Sequence, residues 1–125
     1  MAKQKENAVV ASQEQLADGI YSMWIQTQAA DTAKPGQFII LRLDEKGERI
    51  PLTVADYDAA EGWVTIVTQT VGYSTTKLCA MNPGDELADF AGPLGRPSDF
   101  VHEDIETLRS RKILFIAGGV GTAPV

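Results

Sequence analysis

Short runs in which apolar and polar residues alternate make up most of the chain as far as Ala91. A period of two is that of a β-strand with one buried face, and residues 63–70 show it most clearly. Six runs are predicted to be strands: 8–16, 20–27, 38–43, 49–55, 63–70 and 86–91. The polar, glycine- and proline-containing connections are typical of antiparallel neighbours. The pattern therefore predicts an all-β fold, an antiparallel barrel or sandwich.

Two segments depart from this period. Residues 74–81 are predicted to form a helix of about two turns, capped by Ser74 or Thr75. Residues 92–97 contain two glycines and two prolines, which indicates a domain boundary. Residues 1–98 are thus expected to be one domain, followed by a polar and partly helical segment, 99–111.

The chain ends in an apolar run, 112–117, followed by a turn that contains Gly118, Gly119 and Gly121. A buried parallel strand that leads into such a turn is typical of the start of a nucleotide-binding domain. Residues 99–125 are therefore predicted to be a linker and the truncated start of an α/β domain. An unpaired apolar strand favours association. We expect it to dock on a second copy of the chain, giving a homodimer, or to fold back on its own barrel.

Composition narrows the range of partners. Seventeen acidic and eleven basic residues give a net charge of −6 without a basic cluster, which argues against nucleic acid and anionic membranes. One cysteine, Cys79, and one histidine, His102, argue against a metal site within the chain. The polar residues 1–7 and the absence of a long apolar run indicate neither a signal peptide nor a membrane span. A cytoplasmic location is expected.

Two further stretches offer chemistry. Pro51 removes a ladder donor within residues 49–53, so this strand is either a plain edge strand or one that opens toward a flat group. Gly72, Ser74 and Thr75 precede or begin the predicted helix. They are either an ordinary cap or a set of amides and hydroxyls suited to a phosphate.

Six segments together carry a resemblance: 34–38, 49–53, 67–69, 72–75, 92–95 and 118–124. Their order and spacing resemble the amino-terminal half of ferredoxin–NADP reductase-like flavoproteins. More narrowly, they resemble the electron-transfer subunits of sulfide dehydrogenase, NADH-dependent ferredoxin–NADP oxidoreductase and class 1B dihydroorotate dehydrogenase. The resemblance implies a six-stranded antiparallel Greek-key barrel with one short helix that binds FAD. It also implies that the following domain binds NAD(P)H.

The resemblance also assigns roles around the isoalloxazine ring. It implies that Leu52, which follows Pro51, packs near the ring and that Thr53 forms a hydrogen bond near its reactive N5 edge. The family's usual arginine falls at Ile50 here, and Arg49 lies one step earlier. One step along a strand changes the face, so Arg49 would reach the pyrophosphate only if the proline distorts the strand.

Further roles follow for the rest of the cofactor. Val67, Thr68 and Gln69 would line the ribityl or adenosine portion. Gly72, Ser74 and Thr75 would hold the pyrophosphate. The turn residues Gly118, Gly119 and Gly121 would bind nucleotide in the second domain.

These roles predict the FAD-binding domain of an NAD(P)H-linked electron-transfer flavoprotein with a redox partner subunit. NAD(P)H would bind only to the full-length parent, and no residue of the chain is assigned a catalytic role. The chain alone is expected to be inactive. The alternative is a flavin-free β-barrel that serves as an interaction or scaffold module.

Overall fold

Antiparallel strands dominate the computed structural model, which describes residues 8–125. The sequence features of residues 1–7 lie outside the described residues. The strands are β1 (Val9–Ala17), β2 (Ile20–Gln26), β3 (Phe38–Arg42), β4 (Ile50–Thr53), β5 (Asp56–Asp58), β6 (Trp63–Gln69) and β7 (Asp89–Leu94). The helices are α1 (Tyr73–Cys79) and α2 (Ile105–Arg109), and 3₁₀ turns span Gln28–Asp31, Asp99–His102 and Gly119–Thr122.

The strands form two sheets. One has the order β1-β2-β6-β5 and the other the order β4-β3-β7, and every pair is antiparallel. Backbone hydrogen bonds join the sheets at two places: Val10 N of β1 donates to Asp85 O, in the segment before β7, at 2.9 Å, and Ala55 N, after β4, donates to Thr65 O of β6 at 2.9 Å. The prediction of a mostly β fold is confirmed.

The core lies between the two sheets and is built by the alternation seen in the sequence. One face of each central strand supplies side chains with no solvent exposure: Met23, Ile25, Ile39, Leu41, Val64 and Ile66. The predicted helix is confirmed as α1, and Leu78 packs from it into the same core. Burial of each large apolar side chain stabilises the fold by about 1.5 to 3 kcal/mol.

The structure has seven strands rather than six, because residues 56–58 pair with β6. The sequence pattern predicts a connection at these residues. Within this strand only Tyr57 packs against the core, and Asp56 and Asp58 accept local backbone hydrogen bonds at 2.8 and 3.0 Å. Because aspartate is typical of turns, the two carboxylates that flank Tyr57 predict a turn rather than a strand.

The predicted strand at residues 86–91 is displaced. Leu87 N donates to Ala8 O at 2.9 Å, whereas β7 begins at Asp89 and pairs with β3. β7 extends through Gly92, which had been placed in the domain boundary. A Cβ at Gly92 would lie 2.6 Å from Ile39 Cγ2, and its φ is +156°. Glycine is therefore required where the β3–β7 register shifts.

The prediction of a strand at residues 112–117 is wrong. No part of this run is a strand, and its four large apolar side chains, at positions 113–116, are 52 to 82% exposed. A strand forms only where a neighbour pairs with its backbone, and residues 8–111 supply none. Docking back on the chain's own barrel is wrong for the same reason, whereas docking on a second copy stays a prediction. The partly helical character of residues 99–111 is confirmed.

Candidate functional site

A gap opens between β4 and β6, the two strands that carry most of the predicted flavin residues. Ala55 N donates to Thr65 O at 2.9 Å, but beyond this point β4 pairs with β3 instead. Because backbone groups alternate in direction along an antiparallel strand, those of Val67 and Gln69 share the edge used by Thr65. Within residues 8–125 no strand pairs with that part of the edge. The gap thus presents unpaired N–H and C=O groups.

β4 forms the other wall of the gap. It is the edge strand of its sheet, as predicted from Pro51, which is exposed and lies opposite Ile40. Leu52 and Thr53 are half-buried. Whether the open edge receives a flat group stays a prediction.

Arg49 forms an ion pair on a different strand. Its guanidinium lies 3.8 Å from the carboxylate of Asp89 in β7, which Arg42 also contacts, and its side chain is 63% exposed. The proline therefore does not turn Arg49 toward the start of α1 in this structure. Thr68 also differs from expectation, because its side chain is 2% exposed and belongs to the core face of β6.

At the start of α1, the hydroxyls of Ser74 and Thr75 have different hydrogen-bond environments. Thr75 Oγ1 accepts hydrogen bonds from Val71 N at 2.9 Å and Gly72 N at 3.0 Å, and donates to Gly72 O at 3.2 Å. The N-cap of α1 is Gly72 rather than the predicted Ser74 or Thr75, and Thr75 instead bonds back to the cap from the third position of the helix. The Ser74 hydroxyl has no partner among residues 8–125, so it is available to a ligand.

Space is also available in front of Gly72. A Cβ built there would meet no atom within 4 Å, and its φ of −166° is open to any residue. Neither strain nor packing within the described part of the chain requires glycine. The first amides of a helix lack partners inside it. Free amides, a free hydroxyl and open space together suit an anionic group.

Ser74 also lines a cleft of about 420 Å³ between the turn at residues 44–47 and α1. Lys77 Nζ lies 2.5 Å from Asp44 Oδ2 across this cleft. The bond to Lys77 lowers the pKa of Asp44 below its ordinary 3.8, and the same bond raises the pKa of Lys77 above 10.5. Both groups therefore stay charged from mildly acidic to mildly alkaline pH. The sequence pattern does not predict this pair, because 33 residues separate its members.

The carboxy-terminal glycine turn lies against β6. Gly119 and Val67 line an apolar cleft of about 410 Å³, together with Leu16 and Ile20 of the β1–β2 hairpin. Gly118 and Gly121 face open space. The structure thus brings the glycine turn next to one of the predicted flavin residues, although the strand expected before it is absent.

The remaining chemical groups have ordinary environments. Cys79 is buried beside β6, and burial raises the pKa of its thiol. His102 is exposed. Residues 8–125 contain no group of three or more His, Cys, Asp or Glu that could hold a metal ion.

No family model matches the chain. An uncharacterized protein in the adh 3′ region of Clostridium beijerinckii is 59% identical over 117 residues, covering 93% of the chain and 40% of that protein. A dihydroorotate dehydrogenase B (NAD(+)) electron transfer subunit homolog of Thermotoga maritima is 42% identical over 109 residues, covering 86% and 36%. The chain therefore spans less than half the length of either relative.

Solved structures agree with these relatives. The structure of an NADH-dependent reduced ferredoxin–NADP oxidoreductase, studied for flavin-based electron bifurcation, has a TM-score of 0.72 and 40% identity over 79% of the chain and 36% of its own. The chain is thus similar in sequence and in fold to ferredoxin–NADP reductase-like proteins. The ferredoxin reductase in carbazole 1,9a-dioxygenase has the same fold, with a TM-score of 0.74 at 24% identity over 97% of the chain and 37% of its own. A FAD apo form of that reductase is also known.

The similarity to these relatives and solved structures confirms the predicted resemblance. For residues 8–125, no helix is long and apolar enough to cross a membrane.

Proposed function

We propose that residues 1–98 are the FAD-binding domain of an NAD(P)H-linked electron-transfer flavoprotein. Residues 99–125 would be the linker and the start of its NAD(P)-binding domain. The observation that carries the proposal is the unpaired edge of β6 at Val67 and Gln69, which faces the open edge strand β4. A flat ring with polar edges is the kind of group that such a gap accepts.

We also propose that the two sheets correspond to the six-stranded Greek-key barrel of the family. Only Val54 and Ala55 separate β4 from β5. Counted as one bent strand, residues 50–58 would reduce seven strands to six. The bend lies where the chain leaves its pairing with β3 and begins to pair with β6, and it would open the gap.

The residues present fit FAD in two parts. Leu52 and Thr53 on one wall, with Val67 and Gln69 on the other, would hold the isoalloxazine and ribityl portions. Ser74 and the amides that follow Gly72 would hold the pyrophosphate. The chain has a net charge of −6, so a phosphate depends on local hydrogen-bond donors. The hydroxyl and the backbone amides would supply such donors without a cationic side chain.

Bound FAD would supply electron exchange between NAD(P)H and a partner redox centre. The chain's own residues would bind and orient it. Thr53 would offer its hydroxyl to the reactive edge of the ring, and Leu52 would contact the ring through an apolar side chain. Thr75 would keep the phosphate loop in shape without contacting the cofactor, because its hydroxyl is already engaged.

A titration of the purified chain with FAD tests the proposal. We expect saturable binding and a yellow protein that releases FAD on denaturation. In a parallel redox titration, Thr53→Val keeps the side-chain shape, so a shifted flavin potential would support its role and an unchanged potential would contradict it. A colourless chain that ignores added FAD would instead support the flavin-free interaction module.

The partners follow from the same family. We propose a redox partner subunit for the full-length protein, since the Thermotoga maritima relative is itself an electron transfer subunit homolog. We propose a cytoplasmic location, which the free thiol of Cys79 suits; cell fractionation tests this. Nucleic acid and membranes are not proposed as partners.

We further propose that the exposed run at residues 113–116 joins two copies of the chain. Each of its large side chains would gain about 1.5 to 3 kcal/mol on full burial, so a dimer is expected in solution. Sedimentation of the chain and of a version that stops at Asp99 measures this. Monomers in both cases would show that the run is not an assembly element.

A further inference from the structure

The net charge of −6 is confined to the sheet that contains β6. Residues 9–33 and 54–70, which form β1, β2, β5 and β6 with their connections, hold six acidic residues and no basic one. The rest of the chain holds eleven residues of each sign. Within residues 8–125 no ion pair engages the carboxylates of this sheet, which are Glu14, Asp18, Asp31, Asp56, Asp58 and Glu61. Their charge is therefore free to attract a cationic partner.

Two tryptophans lie on the outer face of the same sheet. Because Met23 and Ile25 point into the core, Trp24 between them points outward. Trp63 directly precedes the core residue Val64, so it lies on the same outer face. Both tryptophans are half-buried, which leaves part of each indole ring open to solvent. Tryptophan is enriched at the centres of protein interfaces, and its ring attracts the cationic groups of lysine and arginine.

Thr65 lies on this outer face with a hydroxyl that lacks a partner. The strand register places Trp24 beside it on one side and Asp56 on the other. The residue is 6% exposed, and its Oγ1 has no hydrogen-bond partner among residues 8–125. A buried hydroxyl without a partner carries a cost that a donor from outside the chain would remove. Lysine and arginine side chains carry only donors, so one such group would satisfy both this hydroxyl and the neighbouring carboxylate.

The spread of the carboxylates indicates a polypeptide rather than a small cation. Glu14 on β1 and Asp58 on β5 are separated by three strand spacings, about 14 Å. One small cation cannot contact both, whereas a segment with several basic side chains can.

The carboxylates, the tryptophans and the free hydroxyl form one docking face, which consists of Glu14, Trp24, Asp56, Asp58, Trp63 and Thr65. We propose that the redox partner subunit docks on this face through a segment that carries lysine or arginine side chains. The identity of the partner rests on the proposed function, whereas the docking chemistry does not require flavin.

Titration of the chain with the synthetic peptide hexaarginine tests the inference. Trp24 and Trp63 are the only tryptophans in the sequence, so intrinsic tryptophan fluorescence reports directly on the docking face. We expect a saturable change with hexaarginine and weaker binding of hexalysine, because a guanidinium group stacks on an aromatic ring better than an ammonium group does. Hexaglutamate should produce no change. Added salt should weaken the binding of both basic peptides.

The double variant Asp56→Asn, Asp58→Asn should weaken hexaarginine binding about fivefold, the loss expected for two exposed ion pairs. Each asparagine retains the oxygen that accepts the local backbone hydrogen bond, so the strand is preserved. Glu48→Gln with Asp104→Asn is the matched control. It removes the same charge from exposed positions outside this sheet and should leave the affinity unchanged.

Thr65→Val removes the free hydroxyl and keeps the side-chain shape. It should weaken hexaarginine binding about tenfold, the loss of one hydrogen bond to a charged donor. Urea unfolding of the variant should match that of the parent chain, because the hydroxyl has no partner there.

Three results would overturn the docking face. These are an unchanged fluorescence with hexaarginine, equal losses of affinity in the two charge variants, and a tryptophan signal that depends on the concentration of the chain alone. The last result would assign the face to a second copy of the chain. FAD titration of the same proteins separates the two proposals. A chain that binds FAD but not hexaarginine keeps the proposed function and loses the docking face, whereas the opposite result keeps the face and removes the redox partner.

Discussion

Replacing Ile66 with alanine is expected to lower the free energy of unfolding by about 2 to 5 kcal/mol. The side chain has no solvent exposure and lies at the centre of β6, between the two sheets. Truncation loses the transfer energy of the buried methyl groups and leaves a cavity that the surrounding strands fill only in part. Urea unfolding of the variant and the parent measures the difference.

Val67→Ala is the matched control for this strand. Val67 is the next residue, is half-buried, and has its backbone on the side of the gap. We expect it to destabilise the fold less than Ile66→Ala. Equal losses for the two variants would contradict the assignment of the core to the even-numbered face of β6.

The double variant Ser74→Ala, Thr75→Ala is expected to weaken FAD binding by about 1 to 3 kcal/mol, the range for lost hydrogen bonds to a charged group. The two changes act differently. Ser74→Ala removes the free hydroxyl, whereas Thr75→Ala removes the acceptor that holds the amides of Val71 and Gly72. FAD titrations of each single variant and of the double variant separate these contributions.

Thr75→Ser should restore most of the affinity, because it retains the oxygen that caps the loop. Thr76→Ala removes an exposed threonine from the same turn and should have no effect. Loss of affinity in Thr76→Ala as large as in Thr75→Ala would show that the helix as a whole, rather than the loop, is responsible.

Local pattern was enough to predict the long strands, since a period of two reports which face is buried. It failed at residues 56–58, where pairing with β6 outweighs two turn-like aspartates. It also failed at 112–117, because apolar character indicates that a segment can be buried but does not supply the neighbour that buries it.

In the candidate site, too, some features can be predicted from the local sequence and others depend on the tertiary fold. Ser74 and Thr75 stand out in the sequence as helix-start residues, but only the structure shows that one hydroxyl is engaged and the other is free. The β4–β6 gap depends on strands that change partners. The Asp44–Lys77 pair joins distant parts of the chain. Such pairings are set by the tertiary fold and leave no local signal.

The bonds from Val71 N and Gly72 N to the Thr75 hydroxyl have a thermodynamic consequence for ligand capture. A loop that is already fixed in its binding shape loses little conformational entropy when a ligand arrives. Association at this point is then governed by diffusion and desolvation rather than by loop rearrangement. Variants that release the loop would therefore slow capture as well as hasten escape.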